Sequence, residues 1–274
     1  MERPAWAPQG IDLNVPSVSR MYDFYLGGSH NFEVDRAAAR RAIDAWPGLP
    51  KIMQANRAFM RRAIRFAVSQ GVTQFLDIGS GIPTFGNVHE VAQSVHPDAR
   101  VVYVDNDPVA VAHSRAVLEG DASTDIVSAD FRSPQDILCS AEVERVIDLQ
   151  QPVALMLVAL LHFVEDKDDP WKTVRELADA LAPGSLLVLT HASTEGGPRR
   201  DGTGVQEVYS SASAPLVLRS PAQITQFFEE FALLDPGLVP LPHWRPDAPP
   251  EQEDPVVFSG FAGVGRKADQ RHAG

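Results

Sequence analysis

Phe75-Leu76-Asp77-Ile78-Gly79-Ser80-Gly81-Ile82-Pro83 reads as a buried strand that ends at an acid and enters a glycine-rich turn. Downstream, Val101-Val102-Tyr103-Val104-Asp105 is a second apolar strand with an acid at its end. Two successive strands of this kind predict a nucleoside-binding α/β sheet. The acid ahead of the glycines narrows the ligand. A dinucleotide would bring its pyrophosphate to this turn, where a carboxylate repels it. A ligand that presents a cation suits the same carboxylate.

The rest of the chain supplies the sheet. Thr73 to Ile78, Arg100 to Asp105, Thr124 to Ser128, Pro152 to Val158 and Ser185 to Thr190 read as strands. Helices are predicted between them over Asn87–Val95, Pro108–Glu119, Asp136–Glu144 and Trp171–Leu181. The unbroken apolar run of the fourth strand is what a parallel sheet covered on both faces requires. Helices between strands imply right-handed crossovers. After the fifth strand the rhythm changes. His191 to Arg219 reads as a long Gly/Ser/Thr-rich loop. Pro221 to Glu230 reads as a helix, and Leu233–Leu241 and Val256–Val264 as two final strands. No helix separates those two, so they should pair antiparallel. Ahead of the sheet, Met1 to Pro16 has no period, Ser17 to Asp23 starts a short helix, and Val34–Ala45 and Gln54–Ser69 follow as helices. Two parts result, an N-terminal arm and helical cap over residues 1–50 and one globular α/β unit over 51–274. Gly265–Gly274 reads as a polar tail.

A chain of 274 residues can bury a large core. Its 36 acids against 24 bases give a net charge of -12, which argues against a nucleic-acid partner. Arg57, Arg61, Arg62 and Arg65 on one predicted helix read as a solvated face. With Cys139 as its single cysteine the chain has no disulfide framework. No apolar run is long enough to span a bilayer, and residues 1–10 carry no signal core. A cytoplasmic protein without a membrane partner is expected.

Glycines at 79 and 81 let the backbone take left-handed angles and approach a ligand closely. Asp105, at the end of the second strand, can accept both ribose hydroxyls, with Asn106 beside the adenine. Asp107 precedes Pro108 and reads as a helix cap. Ser128-Ala129-Asp130-Phe131 follows the third strand, where Asp130 can accept an adenine amino group and Phe131 can wall the ring. S-adenosylmethionine offers the required cations, an ammonium and a sulfonium, beside its adenosine.

The set Leu76-Asp77-Ile78-Gly79-Ser80-Gly81, Val104-Asp105-Asn106 and Ala129-Asp130-Phe131 resembles the cofactor motifs of class I S-adenosylmethionine-dependent methyltransferases. The block Pro16-Ser17-Val18-Ser19-Arg20-Met21-Tyr22-Asp23-Phe24-Tyr25-Leu26-Gly27-Gly28, followed by Asn31-Phe32 and Asp35-Arg36, is similar to a bacterial family named "S-adenosyl methyltransferase", formerly a domain of unknown function. The resemblance covers nearly the whole chain. It implies a Rossmann-like sheet of seven strands, mostly parallel with the last antiparallel, helices on both faces, and an N-terminal helical cap. It also implies S-adenosyl-L-methionine as cofactor and S-adenosyl-L-homocysteine as product. Asp77, Gly79, Ser80 and Gly81 would then hold the methionine portion, Asp105 and Asn106 the ribose side, and Asp130 and Phe131 the adenine. Pro83 stands where the class pattern usually has a third glycine, so the turn after Gly81 departs from it.

Past the fourth strand, His162 is the first choice for a general base, and His191 after the fifth strand the second. Neither has a carboxylate at metal-ligand spacing, so no metal is expected. Tyr22, Tyr25, His30 and Asn31 read as a lid over the carboxyl edge of the sheet, where tyrosine faces stabilise sulfonium-like cations. The loop His191–Arg219 and the N-terminal block are the natural substrate walls, with Arg199, Arg200 or Arg219 available to an anionic substrate. The leading reading is a methyltransferase for a small molecule, acting by direct displacement at the sulfonium methyl. A cofactor-binding sensor without turnover and a nicotinamide-dependent oxidoreductase are the alternatives.

Overall fold

The computed structural model describes residues 7–9, 11–84, 86–193, 195, 203–248 and 260–268. Arg199, Arg200, the first part of the predicted strand Val256–Val264 and most of the polar tail lie outside them.

Five apolar segments form the parallel part of the sheet, namely β1 (Gln74–Ile78), β2 (Arg100–Asp105), β3 (Thr124–Ser128), β4 (Val153–Val158) and β5 (Leu186–Ala192). Every residue of β1 and β4 is buried, because helices cover both faces. Neighbours in the strand alternate between those faces. Phe75 enters one hydrophobic cluster, while Leu76 and Ile78 enter the other. The sheet continues with β6 (Phe231–Leu233), β7 (Val239–Pro240) and β8 (Gly260–Lys267). The strand order is β3-β2-β1-β4-β5-β8-β6, with β7 also paired to β8. Strand β8 runs antiparallel to β5, and β6 and β7 pair antiparallel with β8, as expected for the last strands. The order reverses between β1 and β4, so a crevice opens there beyond the carboxyl ends of the strands.

Around the sheet lie α1 (Val18–Tyr25), α2 (Glu33–Ala45), α3 (Leu49–Ser69), α4 (Val88–Val95), α5 (Pro108–Val117), α6 (Pro134–Leu138), α7 (Ala141–Val146), α8 (Pro170–Ala180), α9 (Thr203–Ser210) and α10 (Pro221–Thr225). Ser17 caps α1 by accepting from Arg20 N, and Asp107 caps α5 by accepting from Val109 N. Helices α1 and α2 share a core cluster with α3, Met21, Ala38 and Phe59 all being fully buried. A polar knot also ties them to the sheet edge. Arg20 Nε donates to Asp35 Oδ2 at 2.9 Å, and Ser17 Oγ donates to Asp107 Oδ2. Among the described residues no helix is long and apolar enough to cross a membrane.

Several segments differ from the sequence expectation. The sheet has eight strands rather than seven, the helix expected over Pro221–Glu230 ends at Thr225 with a 3-10 turn over Gln226–Phe228, and β8 runs on through Lys267 into residues read as a polar tail. The predicted helix Asp136–Glu144 is two helices, because Ser140 leaves the first and accepts from Val143 N to cap the second. The single strand expected over Leu233–Leu241 is split into β6 and β7. Pro236 has no amide to donate, and Gly237 turns the chain at a φ of 86°. The loop after β5 contains α9. Helix α3 starts at Leu49 rather than Gln54, since Pro50 sits in the first turn, where a missing N–H costs nothing.

Candidate active site

The turn after β1 is shaped by its glycines. Gly79 and Gly81 have φ of 74° and 69°, angles that a side chain disfavours. A Cβ at Gly79 would also lie 2.7 Å from Leu160 Cδ1. The turn is tied to β2 by Gly79 N and Ser80 N, which both donate to Val104 O, and by Gly81 N, which donates to Asp105 Oδ2 at 2.7 Å. Pro83 does not open the next helix. Helix α4 begins only at Val88, capped by Asn87 and Glu90, so the proline lies in the turn between β1 and α4.

This turn floors a pocket of about 160 Å³. Asp77, Gly79, Ser80, Gly81, Asp105, Asn106, Asp130 and Phe131 all line it. Asp77 is 5 % exposed, and it makes no hydrogen bond to any described residue. Burial drives its pKa up to about 7, with Arg57 opposing and Asp105 adding to the rise. Ser80 Oγ is likewise buried without a partner. Asp105 accepts from Gly81 N and Asp107 N and is raised to about 6, chiefly by burial. Asp130 is held down at about 2 by Arg132, whose Nε and Nη2 reach its two oxygens at 2.8 and 2.7 Å. Asn106 Nδ2 donates to the same carboxylate at 2.9 Å.

Arg57 is the functional candidate that the sequence reading missed. The arginine run on α3 is not a solvated face, since Arg57 lines the pocket and donates to Thr84 Oγ1 at 3.0 Å. Arg62 donates to the carbonyls of Trp244 and Leu241, and Arg65 stays at the surface with Asp247. A signal was present in Asn56, a polar residue on the face of α3 that carries Phe59 and Ala63. It marks the turn of α3 that faces polar groups. Its Nδ2 donates to Tyr22 Oη at 2.9 Å.

The four residues expected in a lid separate. Tyr22 lines the pocket together with Val18 and Ser19 of α1. Tyr25, His30 and Asn31 do not. The Tyr25 hydroxyl faces that of Tyr209 at 3.1 Å, and burial lifts its pKa to about 12. Asn31 Nδ2 and the His30 amide both donate to Asp23, which fastens the turn after α1. The His30 ring lies tilted against the His113 ring, their centroids 3.5 Å apart.

The two histidines expected as bases do not line this pocket either. They face a neighbouring apolar chamber. His191 Nδ1 donates to Ala192 O at 2.6 Å, and its Nε2 accepts from Arg219 Nη1 at 2.8 Å, so both ring nitrogens are taken. Burial pushes its pKa down to about 4. His162 Nδ1 accepts from Ala192 N at 3.3 Å, and burial holds the ring well below its ordinary pKa. Arg219 is neither solvated nor free for an anionic substrate. It is 1 % exposed and spends its donors on Leu161 O, Val164 O, Asp166 and His191.

A family model described as S-adenosyl methyltransferase matches residues 4–268. The chain belongs to this S-adenosyl methyltransferase family. It is therefore an enzyme that uses S-adenosylmethionine, which removes the nicotinamide alternative. Among similar solved structures is a candidate methyltransferase from Thermobifida fusca YX, 42 % identical, covering 97 % of this chain and 100 % of that one, with a TM-score of 0.89. A DUF574 family protein from Streptomyces avermitilis MA-4680 is 39 % identical, covers 93 % of this chain and 99 % of its own, and has a TM-score of 0.88. The mitomycin 7-O-methyltransferase MmcR shares the fold at 18 % identity, with a TM-score of 0.50 over 78 % of this chain and 54 % of that one. No protein of curated description matches the chain in sequence.

The pocket's chemistry fits the cofactor. A buried carboxylate with no hydrogen bond to a described residue and a buried hydroxyl without a partner can accept from the ammonium of an amino acid, and Arg57 beside them can donate to its carboxylate. Asp105 at the next strand end suits a ribose.

Proposed function

We propose that the pocket holds S-adenosylmethionine with Asp77, Ser80 and Arg57 at its methionine end, Asp105 and Asn106 at its ribose, and Asp130 and Phe131 at its adenine. The observation that carries this reading is Asp77, without a hydrogen bond to any described residue, beside Ser80 Oγ, buried without a partner, over the glycine turn. Asp77 receives the ammonium, and the charge it gains there replaces the proton that burial now favours. Arg57 meets the carboxylate. The bound cofactor supplies a methyl group already activated by its sulfonium, so the protein's share is to align the reactants and exclude water. Tyr22 walls the site from above, and residues 1–50 act as a cap on the unit formed by 51–274. Neither His191 nor His162 serves as a base in this reading, because the nitrogens that would take a proton already accept hydrogen bonds. The substrate is a small molecule that enters between the N-terminal helices and the segment after β5, in a cytoplasmic enzyme.

Calorimetry with S-adenosylhomocysteine and, separately, NAD tests the cofactor assignment. Micromolar binding of the first and none of the second is the expected result, and the reverse would end it. Release of labelled methyl onto a fraction of a metabolite extract tests turnover on a small molecule, and a cofactor that is bound but never consumed would point to a sensor.

A further inference from the structure

Behind the charged pocket lies a second chamber of about 70 Å³. Asn56, Ala159 and Phe163 line both, so the two spaces meet across one thin wall. That wall is a built feature. Ala159 is a non-glycine residue at a φ of 58°, a conformation that survives only where the surroundings impose it. Thr190 Oγ1 imposes it by accepting from Ala159 N at 2.8 Å, and it donates in turn to Asn56 Oδ1 at 2.7 Å.

The chamber differs from the pocket in charge. No Asp, Glu, Lys or Arg is among the described residues that line it, and its walls are Trp46, Leu49, Ile52 and Met53 on one side and Val205 and Leu218 on the other. A charged ligand would lose its hydration there without a partner. The polar groups present are mostly committed. Asn56 and Thr190 bond each other, Tyr209 bonds Tyr25, and His191 has both nitrogens occupied. His162 is the exception. Its Nδ1 accepts from Ala192 N, which puts the proton of the neutral ring on Nε2, and Nε2 has no partner among the described residues. At about 10–15 Å³ per water-sized unit, the volume admits roughly five to seven non-hydrogen atoms, the size of one small ring.

We propose that this chamber is the acceptor-substrate site, and that it takes a small uncharged ring presenting one hydrogen-bond-accepting atom to His162 Nε2–H. The proposal rests on the cofactor reading of the neighbouring pocket only for its orientation, the acceptor atom lying toward Asn56, Ala159 and Phe163. The chamber's own chemistry sets the ligand class.

The test uses the full chain saturated with S-adenosylhomocysteine and three fluorinated probes observed by ¹⁹F NMR: 3-fluoropyridine, fluorobenzene and 3-fluorobenzoate. The pyridine, an uncharged ring with one acceptor, should bind about fivefold more tightly than fluorobenzene, the yield of one hydrogen bond of about 1 kcal/mol. The benzoate should not bind. His162→Phe should erase the preference for pyridine over fluorobenzene, and Leu218→Trp should fill the chamber and abolish binding of both, each with unchanged affinity for S-adenosylhomocysteine. If Leu218→Trp does not fold, Met53→Trp fills the same space from α3. Preference for the benzoate, no binding of any ring at millimolar concentration, or pyridine binding that survives a filled chamber would overturn the proposal. Failure of the wild-type protein to bind S-adenosylhomocysteine would instead sink the cofactor reading, and ring binding without it would leave the chamber standing.

Discussion

The charged pocket and the apolar chamber share one wall yet treat polar groups in opposite ways. In the pocket, Asp77 accepts no hydrogen bond from a described residue, Ser80 Oγ is buried without a partner, and Asp105 keeps a carboxylate in a buried site. In the chamber, almost every polar atom is satisfied by the protein itself. A buried group without a partner costs roughly 1–3 kcal/mol. A fold carries such a cost where a ligand removes it. The first region is thus unfinished without an ionic ligand, and the second is finished and selects by shape and a single donor.

The largest effect that separates the two regions comes from Arg219. It donates to Leu161 O, Val164 O and His191 Nε2, of which His191 lines the chamber, and Arg219 itself does not line the pocket. Arg219→Ala should cost about 3 kcal/mol, lowering Tm by roughly 6–10 °C. Calorimetric affinity for S-adenosylhomocysteine should hardly change, and a parallel collapse of binding would merge the two regions. Asp105→Ala is the converse. It should weaken S-adenosylhomocysteine roughly hundredfold, by about 2.7 kcal/mol, while circular dichroism reports a folded protein. Unchanged affinity would remove Asp105 from the ribose site.

Protonation sharpens the contrast further. Asp77 must be ionised to receive an ammonium, and its pKa is about 7. Cofactor affinity should therefore rise roughly tenfold from pH 6 to pH 8, and Asp77→Asn should flatten the profile. Stability moves the other way. With raised folded-state pKa values near 7 and 6, Asp77 and Asp105 keep protons that the unfolded chain releases above about pH 4. Their contribution to stability falls as pH climbs from about 4 to 7. His191, depressed by burial to about 4, acts in the opposite sense between about 4 and 6.5, and His162, also held down by burial, acts in that same opposite sense, so the readout is the difference between wild type and Asp77→Asn. A difference that grows toward acid pH would contradict the assignment. The smallest effect concerns the two tyrosines of α1. Tyr25→Phe removes one hydroxyl contact to Tyr209 and should cost about 1 kcal/mol in denaturant titration, leaving cofactor affinity intact. Tyr22→Phe, in the pocket wall, should lower that affinity by a few-fold.

Much of the fold was legible because its determinants are local. The apolar runs of β1 and β4, the acids Asp77 and Asp105 near the ends of β1 and β2, Gly79 and Gly81, and the caps Ser17 and Asp107 each act within a few residues of themselves. The breaks at Ser140 and Gly237 were misread because one capping hydroxyl or one left-handed angle overrides an apolar pattern that would suit a longer element.

The chain's own order of residues settled the sheet, its reversed last strand and the row of acids at its carboxyl edge, since strand periodicity and turn chemistry are written position by position. Tertiary structure alone decided that Arg57 enters the pocket, that Tyr22 faces it while Tyr25 turns away, and that His162 and His191 stand in a second chamber with their nitrogens assigned. Those outcomes depend on which groups become neighbours across more than a hundred residues, as Thr190 and Asn56 do, and burial and hydrogen bonding then fix the charge and tautomer that no local pattern records.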